Sequence, residues 1–365
     1  MKKRVLNGID ALDIQSLSPY RVALVTNYSS VNRKGEHLLD ILISSGINVV
    51  RIFTPEHGLF LSTDGEKIDD FLHPRYRIPV TSLYGLRFSI DCDLLHDADI
   101  VVYDIQDVGL RYYTFIYALA EMIKRCANCG RRLVVLDRFN PLGRKFFGPR
   151  IPKELDSLVG AYALPVRYGL TTGELALYYR KFFGLNMELE IIRCIGWNGE
   201  DFSKIDAFWN VPSPNLPTFS SLLCYAGMCF FEATNLSIGR GTTKPFEFIG
   251  APWLDEDDIY AYLKEKFPEI LFRKRQFIPQ FREYAHQVCY GLEFFPLPED
   301  NFFEIAVAIF EYLKGCDEFK VDNRRIDMLT GVQNFVNNTD KLLSYDLTDY
   351  FEFISDVLIY TSEIE

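Results

Sequence analysis

Apolar residues in the first half of the chain fall into short continuous runs separated by helix-spaced stretches. The runs are rich in Val, Ile and Leu, which is typical of strands buried on both faces. They cover residues 21–26, 49–53, 80–83, 100–105 and 133–136. Because stretches such as GEHLLDILISSG lie between them, the pattern predicts a parallel sheet covered by helices.

Two further helices and a strand follow from local signals. YTFIYALAEMIKRCANCG has helical apolar spacing and ends in Gly130, a typical C-cap residue. TTGELALYYRKFFG predicts a helix capped by Thr171 or Thr172, and ELEIIRCIGW after it predicts a strand.

The pattern changes at residues 211–217, where three prolines interrupt both helix and strand. Beyond them, separate helical stretches alternate with strand-like pieces. The last twenty residues have apolar spacing that favours a docked helix. The chain is therefore predicted to be α/β, with a Rossmann-like parallel-sheet domain over 1–212. A smaller α+β domain over 213–365 would complete a cleft.

Composition and charge narrow the class of protein. The chain has 365 residues, of which 48% are hydrophobic and 24% charged, an ordinary globular balance. Lys and Arg total 39 against 50 acids, a formal charge of −11, which argues against nucleic-acid binding. Aromatic residues make up 15% of the chain, so most of them are expected in the core.

The N-terminus and the cysteines suggest a reducing location. MKKRVLNGIDAL lacks the apolar region of a signal peptide, and no apolar run reaches the roughly 18 residues of a membrane span. The expected location is cytoplasmic, or exported if the chain is a trimmed mature form. The eight scattered cysteines are expected to be reduced thiols. The CxxC at Cys126 and Cys129 has no second pair, so no zinc site is predicted.

No cofactor is predicted. The turn after the first run, TNYSSVN, has no glycine, and the chain contains no GxxxxGK[ST] motif. A nicotinamide or ATP cofactor is therefore not supported. The five histidines are also few for a metal site.

Polar residues follow the predicted strands, at the sheet edge where ligands bind in such folds. FTPEHG places Glu56 and His57 between Pro55, which restricts the preceding residue, and Gly58, which permits a sharp turn. A carboxyl group held there can serve as a general acid. It can equally be structural and accept backbone hydrogen bonds.

A second polar block, DIQDVGLRYYT, ends another strand and opens a helix. It carries Asp107, Arg111 and Tyr112. An arginine beside a helix N-terminus can receive an anion, and an Asp–Arg pair can also simply hold the loop.

A third block lies at residues 231–246 and contains Glu232, Asn235 and Arg240. Glycines flank Arg240 and allow its guanidinium to be aimed into a cleft. Ser237 stands in an NxSxG arrangement that lacks the first glycine of a nucleophile elbow. Paired acids with Arg and Tyr suit glycoside hydrolysis best. The alternatives are a Ser237-dependent esterase and a non-catalytic protein that binds amino sugars or muropeptides.

These blocks resemble the exo-β-N-acetylmuramidase family of the NamZ type. The similarity runs in order from residue 7 to beyond residue 291. The matching blocks include FTPEHG, DGEKIDD, SLYG, DIQDVGLRYYT, VVLDRFNP, VRYGLTTGELA, SPNLPT and EATNLSIGRGTTKPFEFIGAPW. The resemblance implies release of N-acetylmuramic acid from the non-reducing end of peptidoglycan-derived saccharides. It leaves the oligomeric state unknown.

The resemblance also implies site residues. The family's catalytic glutamate falls at Glu56, assigned here as general acid beside His57. The other expected substrate contacts are not given by the resemblance but are inferred from residue type and position: Asp107, Arg111, Tyr112, Asn215, Glu232, Asn235 and Arg240. Among them, Arg111 or Arg240 would bind the lactyl carboxylate of the sugar. Two positions depart from the family pattern, Tyr168 for His and Phe139 for Pro.

Overall fold

A computed structural model describes residues 2–61, 69–83 and 92–360. Within them the chain forms a large, mostly parallel sheet and a small antiparallel sheet, both with packed helices. The predicted two-domain α/β class is confirmed. The boundary at residue 212 stays a prediction.

The large sheet contains seven strands among the described residues, in the order β3-β4-β2-β1-β5-β6-β7. All neighbours are parallel except β3 and β4. The strands are β1 (Arg21–Thr26), β2 (Asn48–Thr54), β3 (Phe71–Leu72), β4 (Pro79–Ser82), β5 (Ile100–Asp104), β6 (Arg132–Leu136) and β7 (Leu189–Ile192). The apolar runs therefore predicted the main strands, because strands covered on both faces carry apolar residues at nearly every position.

Helices cover the sheet and build the second half of the chain. Their bounds are α1 (Gly8–Ala11), α2 (Leu38–Ser44), α3 (Phe115–Asn128), α4 (Thr172–Phe182), α5 (Phe219–Met228), α6 (Glu256–Lys266), α7 (Phe302–Leu313), α8 (Asn323–Thr330) and α9 (Thr348–Ile354). The predicted caps are present: Gly130 after α3 has a positive φ of 61°, and Thr171 forms a capping box with Glu174 at α4.

The small sheet has the order β8-β10-β9, with antiparallel pairing throughout. Its strands are β8 (Phe248–Ala251), β9 (Phe272–Phe277) and β10 (Cys289–Phe294). Helices α5 and α7 pack closely beside it: a Cβ added at Gly227 of α5 would lie 1.9 Å from the carbonyl oxygen of Phe302 in α7. Only glycine, which has no Cβ, allows the two helices to lie this close together.

Two segments join the halves of the molecule. Residues 209–218 contain no helix or strand, as the prolines predicted. The C-terminal segment returns to the large sheet: the Tyr350 hydroxyl of α9 donates to the Tyr168 carbonyl (2.9 Å), and the Tyr360 hydroxyl donates to Asp137 (2.5 Å). A docked helix is therefore present at Thr348–Ile354, within the segment for which one was expected, and residues 361–365 lie outside the described residues.

The expectation that all eight cysteines are reduced is wrong for two of them. Cys129, at the end of α3, forms a disulfide with Cys92, and their Cα atoms are 5.6 Å apart. The two residues lie 37 positions apart in the chain, so only the packing of α3 beside the segment that leads into β5 brings them together. The other six are free thiols, and Cys126 of the CxxC pair is buried among them.

Candidate active site

A cavity of about 380 Å³ lies between the carboxyl edge of the large sheet and the second half of the chain. Acids, arginines and tyrosines line it together. The lining residues are Glu56, His57, Tyr112, Tyr113, Thr114, Leu158, Val159, Ser213, Asn215, Leu216, Tyr225, Glu232, Arg240, Phe246, Arg282 and Arg325. Six of the nine predicted site residues are among them: Glu56, His57, Tyr112, Asn215, Glu232 and Arg240.

Glu56 and His57 occupy a tight turn directly after β2. The Gly58 amide donates to the Pro55 carbonyl (3.1 Å) and closes the turn. His57 has a φ of 68° and Gly58 a φ of 70°, so two successive residues adopt the left-handed conformation. This conformation is unfavourable for histidine, and such residues concentrate at functional sites.

Thr114 holds the Glu56 carboxylate. Its hydroxyl donates to Oε2 of Glu56 at 2.5 Å, from the position just before α3. Thr114 was not among the predicted site residues. A threonine directly before a helical apolar pattern is a capping signal, but it did not indicate that the side chain would instead contact an acid 58 positions away.

Glu232 lies between two arginines. Oε1 accepts a hydrogen bond from Arg240 (3.1 Å), and Oε2 accepts one from Arg325 (2.9 Å). Arg282 also lines the cavity, from the loop after β9. Three guanidinium groups against two carboxylates give this cavity a local positive excess, although the whole chain carries −11.

Arg111 lies outside this cavity, which corrects its expected role as a carboxylate receptor. The side chain is fully buried and donates to the carbonyls of Pro149 (2.6 Å), Leu164 (3.2 Å) and Leu329 (3.1 Å). A buried guanidinium that donates to carbonyls of three separate segments stabilises their packing. Arg111 therefore fits a structural role better than a role in binding a carboxylate. Burial lowers the pKa of Arg111 to about 10.

Tyr112 also connects elements. Although it lines the cavity, its hydroxyl donates to the carbonyl of Ala226 in α5. Asn235 lies outside the cavity lining, with its amide donating to the Glu318 carbonyl (2.8 Å) and its oxygen accepting from the Lys320 amide (2.8 Å). Both asparagine contacts stabilise the loop that carries Arg240.

Asp107 is buried behind the cavity rather than in its lining. It accepts hydrogen bonds from the Tyr168 hydroxyl and from the Gly109 amide (2.9 Å). Burial raises the pKa of Asp107 to about 6. Tyr168, which departs from the family pattern, is thus a buried partner of this carboxyl group.

The Asp107→Asn variant is expected to flatten the pH dependence of stability between about pH 4 and pH 6. In the folded protein the carboxyl group keeps its proton up to about pH 6, whereas the unfolded chain releases it near 3.8. The free energy of unfolding of the wild type therefore falls as the pH rises through this window. Urea denaturation across the window measures the slope, and equal slopes in the two proteins would exclude this contribution.

The alternative of a serine nucleophile can also be compared with the structure. Ser237 is buried, and its backbone pairs with Gly250 outside the cavity lining, so the structure lends no support to a serine nucleophile. Tyr84, in the SLYG block, lies outside the described residues, as do the first five residues of DGEKIDD.

Residues 2–61, 69–83 and 92–360 contain no group of three or more His, Cys, Asp or Glu side chains arranged to hold a metal ion. None of their helices combines the length and apolar character needed to cross a membrane.

Fold and cavity together define a two-domain α/β protein with a cleft suited to an anionic polar ligand. Residues 22–220 match the N-terminal domain of the exo-β-N-acetylmuramidase NamZ, and residues 223–349 match its C-terminal domain. The chain belongs to this family and is a glycosidase that acts on peptidoglycan-derived saccharides.

Individual relatives agree with this assignment. The chain is 33% identical to the peptidoglycan β-N-acetylmuramidase NamZ of Bacillus subtilis, over 94% of this chain and 89% of that protein. Two crystal structures of DUF1343 family proteins from Bacteroides fragilis are similar, each at 25% identity. One has a TM-score of 0.86 and covers 99% of this chain and 100% of its own. The other has a TM-score of 0.78 and covers 98% and 99%.

Proposed function

We propose that the protein releases N-acetylmuramic acid from the non-reducing end of peptidoglycan fragments, with Glu56 as the general acid. The observation that carries the proposal is the convergence of Glu56 with three arginines in one cavity. A glycosidase needs an acid to protonate the leaving oxygen. A muramic acid residue differs from glucosamine by a carboxylate, which arginines recognise.

Glu56 is placed for proton transfer by its surroundings. Thr114 engages Oε2 and limits rotation of the carboxyl group, which leaves Oε1 to carry the proton. The turn that bears Glu56 is closed by its own hydrogen bond and follows a buried strand. The acid is therefore presented on a rigid element, as proton transfer over a short distance requires.

The arginines bind the lactyl carboxylate in this proposal. Glu232 engages Arg240 and Arg325 through separate oxygens and so acts as a positioning residue for both guanidinium groups. His57 and Tyr112 form the walls against the sugar ring, and Asn215 supplies an amide for its polar groups.

The Arg240→Gln variant is expected to lower kcat/KM for a nitrophenyl N-acetylmuraminide by about 10- to 100-fold, the effect of losing one charge-assisted hydrogen bond. Activity on the nitrophenyl N-acetylglucosaminide, which lacks the carboxylate, is expected to be much weaker in the wild type and to change little in the variant. The measured quantity is the ratio of the two kcat/KM values.

Arg324→Gln is the matched control. Arg324 is the chain neighbour of Arg325, but it is exposed and lies outside the cavity lining. The ratio should stay at the wild-type value in that variant. An unchanged ratio in Arg240→Gln would remove Arg240 from recognition of the carboxylate.

The cytoplasmic location stays a prediction. The Cys92–Cys129 disulfide is of a kind that persists mainly in oxidising compartments, and it supports the exported alternative. Thiol titration of the protein, denatured directly from its native source, is expected to find six free thiols if the disulfide forms there. Eight free thiols would support a reducing compartment.

A further inference from the structure

A second cavity, of about 190 Å³, lies at the carboxyl edge of the large sheet and shares no lining residue with the first. The chain leaves β1 toward β2 and β4 on one side, and later builds β5, β6 and β7 on the other. The strand order therefore reverses between β1 and β5. Open α/β sheets bind ligands at this reversal point.

The walls come from the segments that follow these strands. Residues 31–33 follow β1, Gln106 follows β5, and Phe139 follows β6. Residues 206–210 close the cavity from the other side. Phe139, which departs from the family pattern, thus lies in this cavity and not in the one that contains Glu56.

The charges of this cavity are already paired within the protein. Arg33 binds Asp206 (2.6 Å), and the buried Arg138 binds Asp104 (2.5 Å). Asp10 accepts the Arg33 amide (2.8 Å). The lining carries two arginines, Arg33 and Arg138, and two aspartates, Asp10 and Asp206, so it lacks the positive excess of the first cavity. An uncharged ligand therefore fits it better.

The remaining surface is aromatic with a few amides. Phe202 and Trp209 pack edge to face with ring centroids 5.1 Å apart, and Phe208 is 51% exposed beside them. Gln106 and Asn210 add amide groups. Aromatic surface with a few fixed polar groups is how proteins hold sugar rings, which have apolar C–H faces and polar edges. Pockets for larger ligands start at about 300 Å³, so this cavity suits a single ring.

The two cavities share one wall. Trp209 lines the second cavity and donates its indole N–H to the carbonyl of Leu216 (3.0 Å), which lines the first. Asn210 and Ser213 lie on opposite sides, three residues apart, a span of at most about 10 Å. A ring in the second cavity would therefore lie near a saccharide in the first.

We propose that the second cavity binds one uncharged N-acetylhexosamine ring, with Phe208 and Trp209 as its aromatic contacts. The cavity itself supports an uncharged sugar; the N-acetylhexosamine class rests on the proposed function. The ring can come from the leaving part of a bound substrate or from free amino sugar.

Hydrogen exchange with N-acetylglucosamine as the probe tests the site without turnover. In the Glu56→Gln protein, increasing sugar is expected to give saturable protection of residues 202–210. Phe208→Ala is expected to weaken this binding about tenfold, and Ala207→Phe, which fills the cavity, to abolish it. Tyr290→Ala, an exposed aromatic of β10, is the matched control and should bind as the parent does.

The proposal is overturned if no saturable protection is seen, or if protection persists in both Phe208→Ala and Ala207→Phe. Neither result depends on hydrolysis. Failure of the second site is therefore distinguishable from failure of Glu56 as the acid.

Kinetics distinguish the two sources of the ring. If the leaving part of the substrate occupies the cavity, Phe208→Ala raises KM for the natural saccharide and not for the nitrophenyl glycoside. If free sugar binds, added N-acetylglucosamine changes the rate of nitrophenyl glycoside hydrolysis in the wild type, and Phe208→Ala removes that effect. The absence of both effects contradicts a functional sugar site.

Discussion

Replacing Glu56 by glutamine is expected to lower kcat for release of N-acetylmuramic acid by about 100- to 10,000-fold, the contribution of a general acid. Glutamine keeps an oxygen that can accept the Thr114 hydroxyl, so the turn after β2 and the fold should survive. Steady-state kinetics on a muramic acid–glucosamine disaccharide measure the loss, and circular dichroism checks the fold.

The leaving group gives this experiment a sharper readout. Nitrophenolate departs without protonation, whereas a sugar hydroxyl needs a proton from the acid. The loss should therefore be larger on the disaccharide than on the nitrophenyl glycoside. Glu269→Gln, an exposed acid outside the cavity, is the control and should keep full activity. Equal losses on both substrates would assign Glu56 a role other than proton donation.

Removing the Arg138 side chain is expected to produce the largest loss of stability, about 3–5 kcal/mol for Arg138→Ala. Its guanidinium donates to both oxygens of Asp104, at 2.5 and 2.9 Å, and the Asp104 side chain is fully buried. The variant leaves that carboxylate in the interior without its counter-charge. Urea denaturation at neutral pH measures the change.

An exposed ion pair serves as the control for the buried pair of Arg138 and Asp104. Arg21 and Asp99 form the same kind of two-point contact, but their side chains are 49% and 37% exposed. Arg21→Ala should change stability far less, because water solvates the remaining carboxylate. The double variant Arg138→Met with Asp104→Leu should recover much of the loss, since no buried charge is left unpaired. A loss in Arg138→Ala as small as that in Arg21→Ala would contradict this account.

Local physics explains which elements could be predicted. The runs at β1, β2, β5 and β6 are apolar at nearly every position. Such continuous short runs are typical of strands that are covered on both faces. Helices α5 and α8 and the small sheet were not individually predicted. Residues 221–228 of α5 are all buried, so its sequence shows no clear helical period. Helix α8 is only eight residues long, which gives a short pattern to recognise.

The site was predictable where its residues lie at strand ends. Glu56 and His57 follow β2 directly, and the turn type was readable from Pro55 and Gly58. Arg282 and Arg325 gave no such signal, because one comes from a loop after β9 and the other from the start of α8. At Arg111 the residue type was misleading, because a sequence does not distinguish an arginine that binds a ligand from one that donates to buried carbonyls.

The sequence by itself determined the α/β class, the family and the turn that presents Glu56, because all three depend on residues adjacent in the chain. Only the tertiary structure decided the strand order and the burial of Arg111 and Asp107. It also paired Cys92 with Cys129 and placed Glu232 between two arginines. Apart from the contact between Glu232 and Arg240, which are eight positions apart, these features join residues tens to hundreds of positions apart. They depend on which surfaces are buried together in the fold and not on a local sequence pattern.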